Sequence, residues 1–182
     1  DPMKKNIAFL AVLSTLAASP AVHAADPTGG FASGGWSAQY GVLDGNHRLT
    51  LNYETAPLWH MKLGSTRLEL VGELGGSYWW TSSADPGYAR HLWQLNAIPM
   101  FRWWPAERFY VEAGVGATLI SDTKFHDKNL STNFQFGDHI GAGFKLSNNM
   151  RVGLRVSHFS NAGIKRPNQG LNQVQLNFAM AF

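Results

Sequence analysis

The amino-acid sequence predicts an all-β fold, namely an eight-stranded antiparallel β-barrel that spans a membrane. Apolar and polar residues alternate with period two along the chain, and Gly, Asn, Asp, Ser and Pro separate the alternating segments. The two faces of these segments also differ sharply in chemistry. After residue 24 no run of about 18 apolar residues occurs, so we expect strands and no membrane-spanning helix. The length of 182 residues suits one domain.

Residues 1–24 have the pattern of a secretory signal peptide. Met3–Lys5 form a basic start, Ile7–Leu16 form a short apolar stretch, and small residues follow as a cleavage site. The two residues before Met3 are interpreted as a scar or a fragment boundary. We therefore expect the signal peptide to be removed and residues 25–182 to form a single barrel domain of an exported protein.

Eight segments of the remaining chain alternate as strands do. They are Trp36–Val42, Arg48–Glu54, Arg67–Trp80, Trp93–Trp103, Phe109–Leu119, Phe134–Leu146, Val152–Val156 and Val174–Phe182. Short turn-forming sequences such as LDGN, SADPG and LSNN join them. With eight strands and both ends on the periplasmic side, odd strands run outward and even strands return.

The polar face of these strands carries charges of both signs. Its charged residues are Arg48, Arg67, Arg102, Lys145, Arg151, Arg155, Glu54, Glu69, Glu73 and Glu112. A small barrel can bury such a set as a paired plug, whereas the apolar, often aromatic face suits lipid. A soluble sandwich would instead need the apolar faces to pack together.

Aromatic residues at the strand ends predict the girdles of an outer-membrane barrel. Trp59, Trp103 and Trp104 fall at the lower ends, and Trp79–Trp80 at an upper end. The chain ends on Phe182, which resembles the C-terminal signature of bacterial outer-membrane proteins. The expected fold class is therefore a transmembrane outer-membrane β-barrel, and the expected location is the bacterial cell outer membrane.

Composition narrows the function classes. The chain has no Cys, so disulfides and thiolate chemistry are excluded. A formal net charge of +3 is too small and too scattered to favour nucleic-acid binding. The histidines lack ligand spacing such as HExxH, so we expect neither a catalytic metal nor a cofactor.

The stretch VSHFSNAGIKRPN contains the candidate catalytic residues. His158 and Ser160 share the parity of Val152, Leu154 and Val156, which predicts that both face lipid near the outer-leaflet interface. Residues i and i+2 on a strand are about 7 Å apart by Cα, within reach of a His–Ser hydrogen bond. A His base can activate a Ser nucleophile for ester hydrolysis. Alternatively, both are simply polar residues where a strand leaves the hydrocarbon.

Three longer stretches resemble the PagL-type lipid A 3-O-deacylases, and the resemblance covers essentially the whole mature chain. They are FYVEAGVGATLIS, NFQFGDHIGAGFKL and VGLRVSHFSNAGIKRPN. The resemblance implies an outer-membrane hydrolase that removes the 3-position ester-linked acyl chain of lipid A. It implies His158 as general base, Ser160 as nucleophile and Asn161 as a contributor to the oxyanion hole. Where the family's best-known triad has Glu, this chain has Asn172.

Asp138 is a second candidate for the third member of the triad. It lies on the lipid-facing parity of the sixth strand, which a tight turn at Ser147–Asn149 joins to the seventh. The two registers nearest this turn place Asp138 opposite either His158 or Ser160, at a Cβ separation of about 4.5–5.5 Å. Asp138 would then either supply the missing charge or bind an interfacial group.

Several alternatives remain open at this point. A non-catalytic barrel that serves as an adhesin or structural anchor competes with the enzyme, although the outer loops are short for an adhesin. An outer-membrane phospholipase would use the same catalytic pair. Lys165 and Arg166 are either a solvated loop or contacts to lipid A phosphates. The expected partner is lipid A, or lipopolysaccharide, of the outer leaflet, and the sequence leaves both a monomer and a homodimer open.

Overall fold

The computed structural model describes residues 31–182, and the predicted signal peptide lies outside the described residues. Eleven β-strands occur in this part of the chain. They are β1 (Gly35–Leu43), β2 (Asn46–Glu54), β3 (Trp59–Leu63), β4 (Thr66–Thr81), β5 (His91–Trp104), β6 (Phe109–Ile120), β7 (Lys124–Phe125), β8 (Lys128–Asn129), β9 (Phe134–Ser147), β10 (Met150–Ser160) and β11 (Leu171–Ala181). No helix among the described residues has the length and hydropathy needed to cross a membrane.

The strands close into an antiparallel barrel. Each neighbouring pair is antiparallel, and β1 closes the circle because it pairs with both β2 and β11. β2 and β3 act together as one barrel strand, since both pair with β4 at different heights. The predicted eight-stranded antiparallel barrel is therefore confirmed. The second strand extends beyond its predicted end at Glu54, because pairing with β4 resumes after residues 55–58 and continues to Leu63.

The lumen is filled by paired charges. Arg155 donates to both carboxylate oxygens of Glu73 at 2.7 Å and also bonds Glu112. Arg102 joins Glu112 to Glu54, which in turn accepts from Arg151. Because the guanidinium and carboxylate groups neutralise and hydrogen-bond one another, the buried charges are compensated as a buried ion-pair network requires.

The outer wall carries the apolar face, with one correction to the aromatic girdle. Trp103 is exposed there, but Trp79 and Trp104 lie inside the barrel. Their indole N–H groups donate to Gln94 and Glu69 respectively. The placement of Trp79 and Trp104 in the girdle was wrong because consecutive strand residues point to opposite faces.

The extracellular end of the lumen is closed by a hydrophobic cluster. Its members are Trp79, Leu92, Ile120, Phe125, Leu130, Phe159 and Leu171. Phe125 comes from the small β7–β8 hairpin, which folds over this end. Phe159 is the second-last residue of β10. The side chain of Phe159 packs in this cluster and thus fixes the end of β10 from the lumen side. The outer face of the same strand end carries His158 and Ser160.

Candidate active site

The candidate site lies at the extracellular end of β10, between β9 and β11. His158 is in register with Asp138 of β9 on one side and with Asn172 of β11 on the other. Ser160, the last residue of β10, is in register with Phe136. Of the two registers that the β9–β10 turn allowed, the one that opposes Asp138 to His158 is therefore adopted.

Asn172 orients the imidazole of His158. The distance between His158 Nδ1 and Asn172 Oδ1 is 2.7 Å. Because a carbonyl oxygen only accepts hydrogen bonds, this contact places the proton on Nδ1. Nε2 then carries the lone pair that a general base needs.

Ser160 continues the outward parity of β10 but is largely covered, with 9% of its surface exposed. In the described part of the chain, its hydroxyl group forms no hydrogen bond. Catalytic hydrogen bonds are often long or poorly aligned before substrate binds, and strand positions i and i+2 lie on the same face, about 7 Å apart by Cα. The Ser160 hydroxyl is thus an uncommitted donor beside an oriented base.

Gly170 is a site residue that the sequence reasoning missed. Its φ is +70°, a conformation that L side chains rarely adopt. A Cβ atom at this position would lie 2.7 Å from His158 Cε1, so the glycine leaves the space that the imidazole ring occupies. The glycine directly before β11 was the available signal, but its contact with His158 depends on the fold.

The loop that follows Ser160 is held together by Asn161. Both N–H groups of its buried side chain donate to backbone carbonyls, one of Leu130 and one of Lys165, each at 2.9 Å. Its Oδ1 accepts from the backbone N–H of Gly163, and its own backbone N–H donates to Asn168 Oδ1. The predicted oxyanion role of Asn161 stays a prediction, and the observed bonds give this side chain a role in shaping the loop.

A groove of about 610 Å³ runs along the outer wall from the site. His158 and Asp138 stand at its polar end. Its apolar lining includes Phe101, Ala113, Val115, Ile140 and Val156. Ala113 lies in register between Phe101 and Ile140, so a small side chain between two large ones forms the channel. An open apolar channel of this kind can hold a hydrocarbon chain.

A second recess lies on the loop after Ser160. It has a volume of about 630 Å³ and is lined by Gly163, Arg166, Pro167 and Asn168. Arg166 is exposed and carries the positive charge of this recess, with Lys165 exposed next to it. Within residues 31–182, no group of three or more His, Asp or Glu side chains is arranged to hold a metal ion.

The chain resembles known proteins over nearly its whole length. The family described as Lipid A 3-O-deacylase (PagL) matches residues 32–181. The lipid A deacylase PagL of Bordetella bronchiseptica is 53% identical, over 99% of this chain and 98% of the relative. The lipid A deacylase PagL of Pseudomonas aeruginosa is 34% identical, over 90% of this chain and 93% of the relative.

A solved structure has the same fold. The crystal structure of the outer membrane enzyme PagL superimposes with a TM-score of 0.70 and 28% sequence identity. The match covers 81% of this chain and 99% of the other.

Proposed function

Because the chain belongs to the lipid A 3-O-deacylase (PagL) family, we propose that it is an outer-membrane serine esterase that hydrolyses the 3-position ester-linked acyl chain of lipid A. The observation that carries this proposal is the His158–Asn172 hydrogen bond, which prepares a base beside Ser160 on the lipid-facing wall. A substrate that sits in the membrane can reach this wall directly.

In the proposed reaction His158 is the general base and Ser160 the nucleophile. Nε2 accepts the hydroxyl proton while Oγ attacks the ester carbonyl carbon, which gives a tetrahedral oxyanion. The imidazolium then returns the proton to the sugar oxygen as the ester C–O bond breaks, leaving an acyl-enzyme. Water, deprotonated by Nε2, attacks the acyl-enzyme and releases the fatty acid and free Ser160. Asn172 holds the ring in the required tautomer throughout.

The oxyanion is stabilised, in this proposal, by the segment that begins at Asn161. A tetrahedral intermediate needs hydrogen-bond donors next to the nucleophile. Asn161 shapes the backbone immediately after Ser160 through four hydrogen bonds of its side chain. Its contribution is therefore to fix the backbone of the loop beside the nucleophile, and its side-chain amide donates to the oxyanion only if one of its bonds to Leu130 and Lys165 opens.

The substrate is proposed to lie along the wall with its acyl chain in the apolar groove. The ester would then stand at the polar end of the groove, beside His158 and Ser160. Arg166 and Lys165 are exposed on the adjacent loop, where they can pair with the phosphates of lipid A. In this proposal the site lies at the outer-leaflet interface of the outer membrane.

Both a monomer and a homodimer are compatible with the proposed function, within one limit. A homodimer is compatible with this function only when the shared surface leaves the groove open to the bilayer. The wall formed by β1, β2 and β4 satisfies this condition, because the groove lies on β5, β6, β9 and β10. Chemical cross-linking in detergent and in membranes, compared with a monomeric barrel standard, tests whether a dimer exists.

Mass spectrometry of lipid A tests the proposed activity. The parent protein and Ser160→Ala are expressed in a bacterium that lacks this activity, and lipid A is analysed before and after expression. We expect the parent to remove one acyl chain from the 3-position and Ser160→Ala to remove none, while both show a heat-modifiable folded barrel. Hydrolysis of phospholipid in place of lipid A, or turnover by Ser160→Ala, would contradict the proposal.

A further inference from the structure

Asp138 stands directly across from His158 on the neighbouring strand. Val115, Asp138, His158 and Asn172 are successive register partners from β6 to β11, so they form one row across the outer wall. Directly opposed residues on antiparallel strands have Cβ atoms about 4.5–5.5 Å apart. The imidazole of His158 therefore has an amide on one flank and a carboxylate on the other.

The surroundings of Asp138 are otherwise apolar. It lines the same groove as Val115, Ile140 and Val156, and it is the only acid in β9. Among residues 31–182, the Asp138 carboxylate forms no hydrogen bond and no ion pair. A carboxylate on a lipid-facing wall is costly unless a positive charge appears beside it. The group closest in register that can become positive is His158.

The amide of Asn172 cannot provide that compensation. It occupies Nδ1 of His158 at 2.7 Å and thereby orients the ring, but it carries no charge. When Ser160 passes its proton to Nε2, the ring becomes an imidazolium ion in a site of low dielectric constant. A nearby carboxylate stabilises this ion through space, without a hydrogen bond of its own.

We propose that Asn172 and Asp138 divide the work of the usual catalytic acid, Asn172 by orienting His158 and Asp138 by supplying negative charge from the opposite strand. This inference rests on the proposed function, since it assumes that His158 takes a proton from Ser160. Asp138 acts through His158, because its negative charge stabilises the imidazolium ion, and it is therefore a positioning residue.

A charge-exchange experiment tests the division. Asp138→Asn, the isosteric Asn172→Asp, and the double variant are compared with the parent for kcat and KM on lipid A in detergent micelles. We expect Asp138→Asn to lower kcat about 10- to 100-fold, with little change in KM. In the double variant the single negative charge lies on the other flank of His158, and we expect kcat within about 3-fold of the parent.

A second readout separates this inference from the choice of substrate. A fluorophosphonate probe labels an activated serine without lipid A, and Asp138→Asn should slow labelling of Ser160 by a similar factor, with recovery in the double variant. Glu107→Gln, which removes an exposed acid at the opposite end of the barrel, is the matched control and should label at the parental rate.

The outcomes distinguish the two proposals. If the parent labels normally but leaves lipid A intact, the proposed substrate fails while the labelling rates still test Asp138. Equal losses from Asp138→Asn with and without Asn172→Asp would assign Asp138 a role independent of charge and overturn the inference. Full activity of Asp138→Asn, or a parent whose Ser160 does not label, would overturn it as well.

Discussion

Two His–Ser pairs occur on opposite faces of the same stretch of barrel wall, and they are built very differently. On the lumen side, His139 Nδ1 lies 2.7 Å from Ser157 Oγ, and Gln175 Nε2 donates to the same hydroxyl oxygen. On the lipid side, His158 is bonded to Asn172 and the Ser160 hydroxyl has no hydrogen bond among the described residues. Ser157 and His158 are consecutive residues, so the two environments are separated only by the backbone of β10.

This difference shows that the same two residue types, His and Ser, take different roles on the two faces of one strand. The inner pair is buried beside the charge network, and its hydroxyl group is held by both His139 and Gln175, so a substrate in the membrane cannot reach it. The outer pair keeps an uncommitted hydroxyl and a free Nε2, and it opens onto a groove that can hold an acyl chain. A serine hydroxyl group without a hydrogen bond, open to a groove on the outer wall, is thus the feature that marks the reactive pair among the described residues.

Replacing each histidine in turn is the strongest test of the difference between the inner and outer His–Ser pairs. We expect His158→Ala to lower kcat/KM at least about 1,000-fold, because the nucleophile loses its base. His139→Ala should keep kcat/KM within about 10-fold, since His139 faces the lumen and bonds only Ser157. Turnover of lipid A in micelles measures both. A large loss in His139→Ala with a folded barrel would make the inner pair catalytic.

Breaking the charge network of the lumen should lower the stability of the barrel. Arg155→Met leaves Glu73 and Glu112 without their shared partner, and we expect a loss of about 3–5 kcal/mol in the free energy of unfolding. Urea titration of the barrel in detergent measures this loss. Arg90→Met, in an exposed outer loop, is the control and should shift the midpoint little. Equal effects of the two variants would mean that the lumen pairs are not stabilising.

Gly170→Ala tests the outer His–Ser pair without removing either of its residues. We expect Gly170→Ala to lower kcat/KM about 10- to 100-fold, because its Cβ would displace the imidazole ring of His158. Gly87→Ala is the matched control, since Gly87 has φ +79° and no atom within 4 Å of the added Cβ. Both variants carry similar backbone strain. A similar activity for the two would show that strain, and not contact with His158, is the cause of any loss.

Ser157→Ala should have the smallest effect. The variant removes one buried hydroxyl and leaves Gln175 and His139 without that partner, which costs about 1–3 kcal/mol of stability. We expect kcat/KM to stay within about 3-fold, in contrast to Ser160→Ala. The same urea titration and lipid A assay measure both quantities. A large loss of turnover in Ser157→Ala with parental stability would remove the distinction between the faces.

Much of the barrel and part of the site follow from local sequence patterns. Alternation with period two identifies the strands and sorts their residues onto two faces, because successive side chains on a strand point in opposite directions. The same rule puts His158 and Ser160 together on the apolar face, two positions apart. These inferences need no knowledge of which strands are neighbours, and the closed barrel with its paired lumen charges agrees with them.

Contacts between strands depend on register, which local alternation does not specify. A register irregularity at Met150 and Arg151 accompanies the alignment that opposes His158 to Asp138. The contact between Gly170 and His158 and the four bonds of Asn161 depend on how loops return over the barrel end. Such contacts join residues whose separation along the chain is bridged only after the barrel has closed, so only the folded structure reveals the full surroundings of the His158 imidazole.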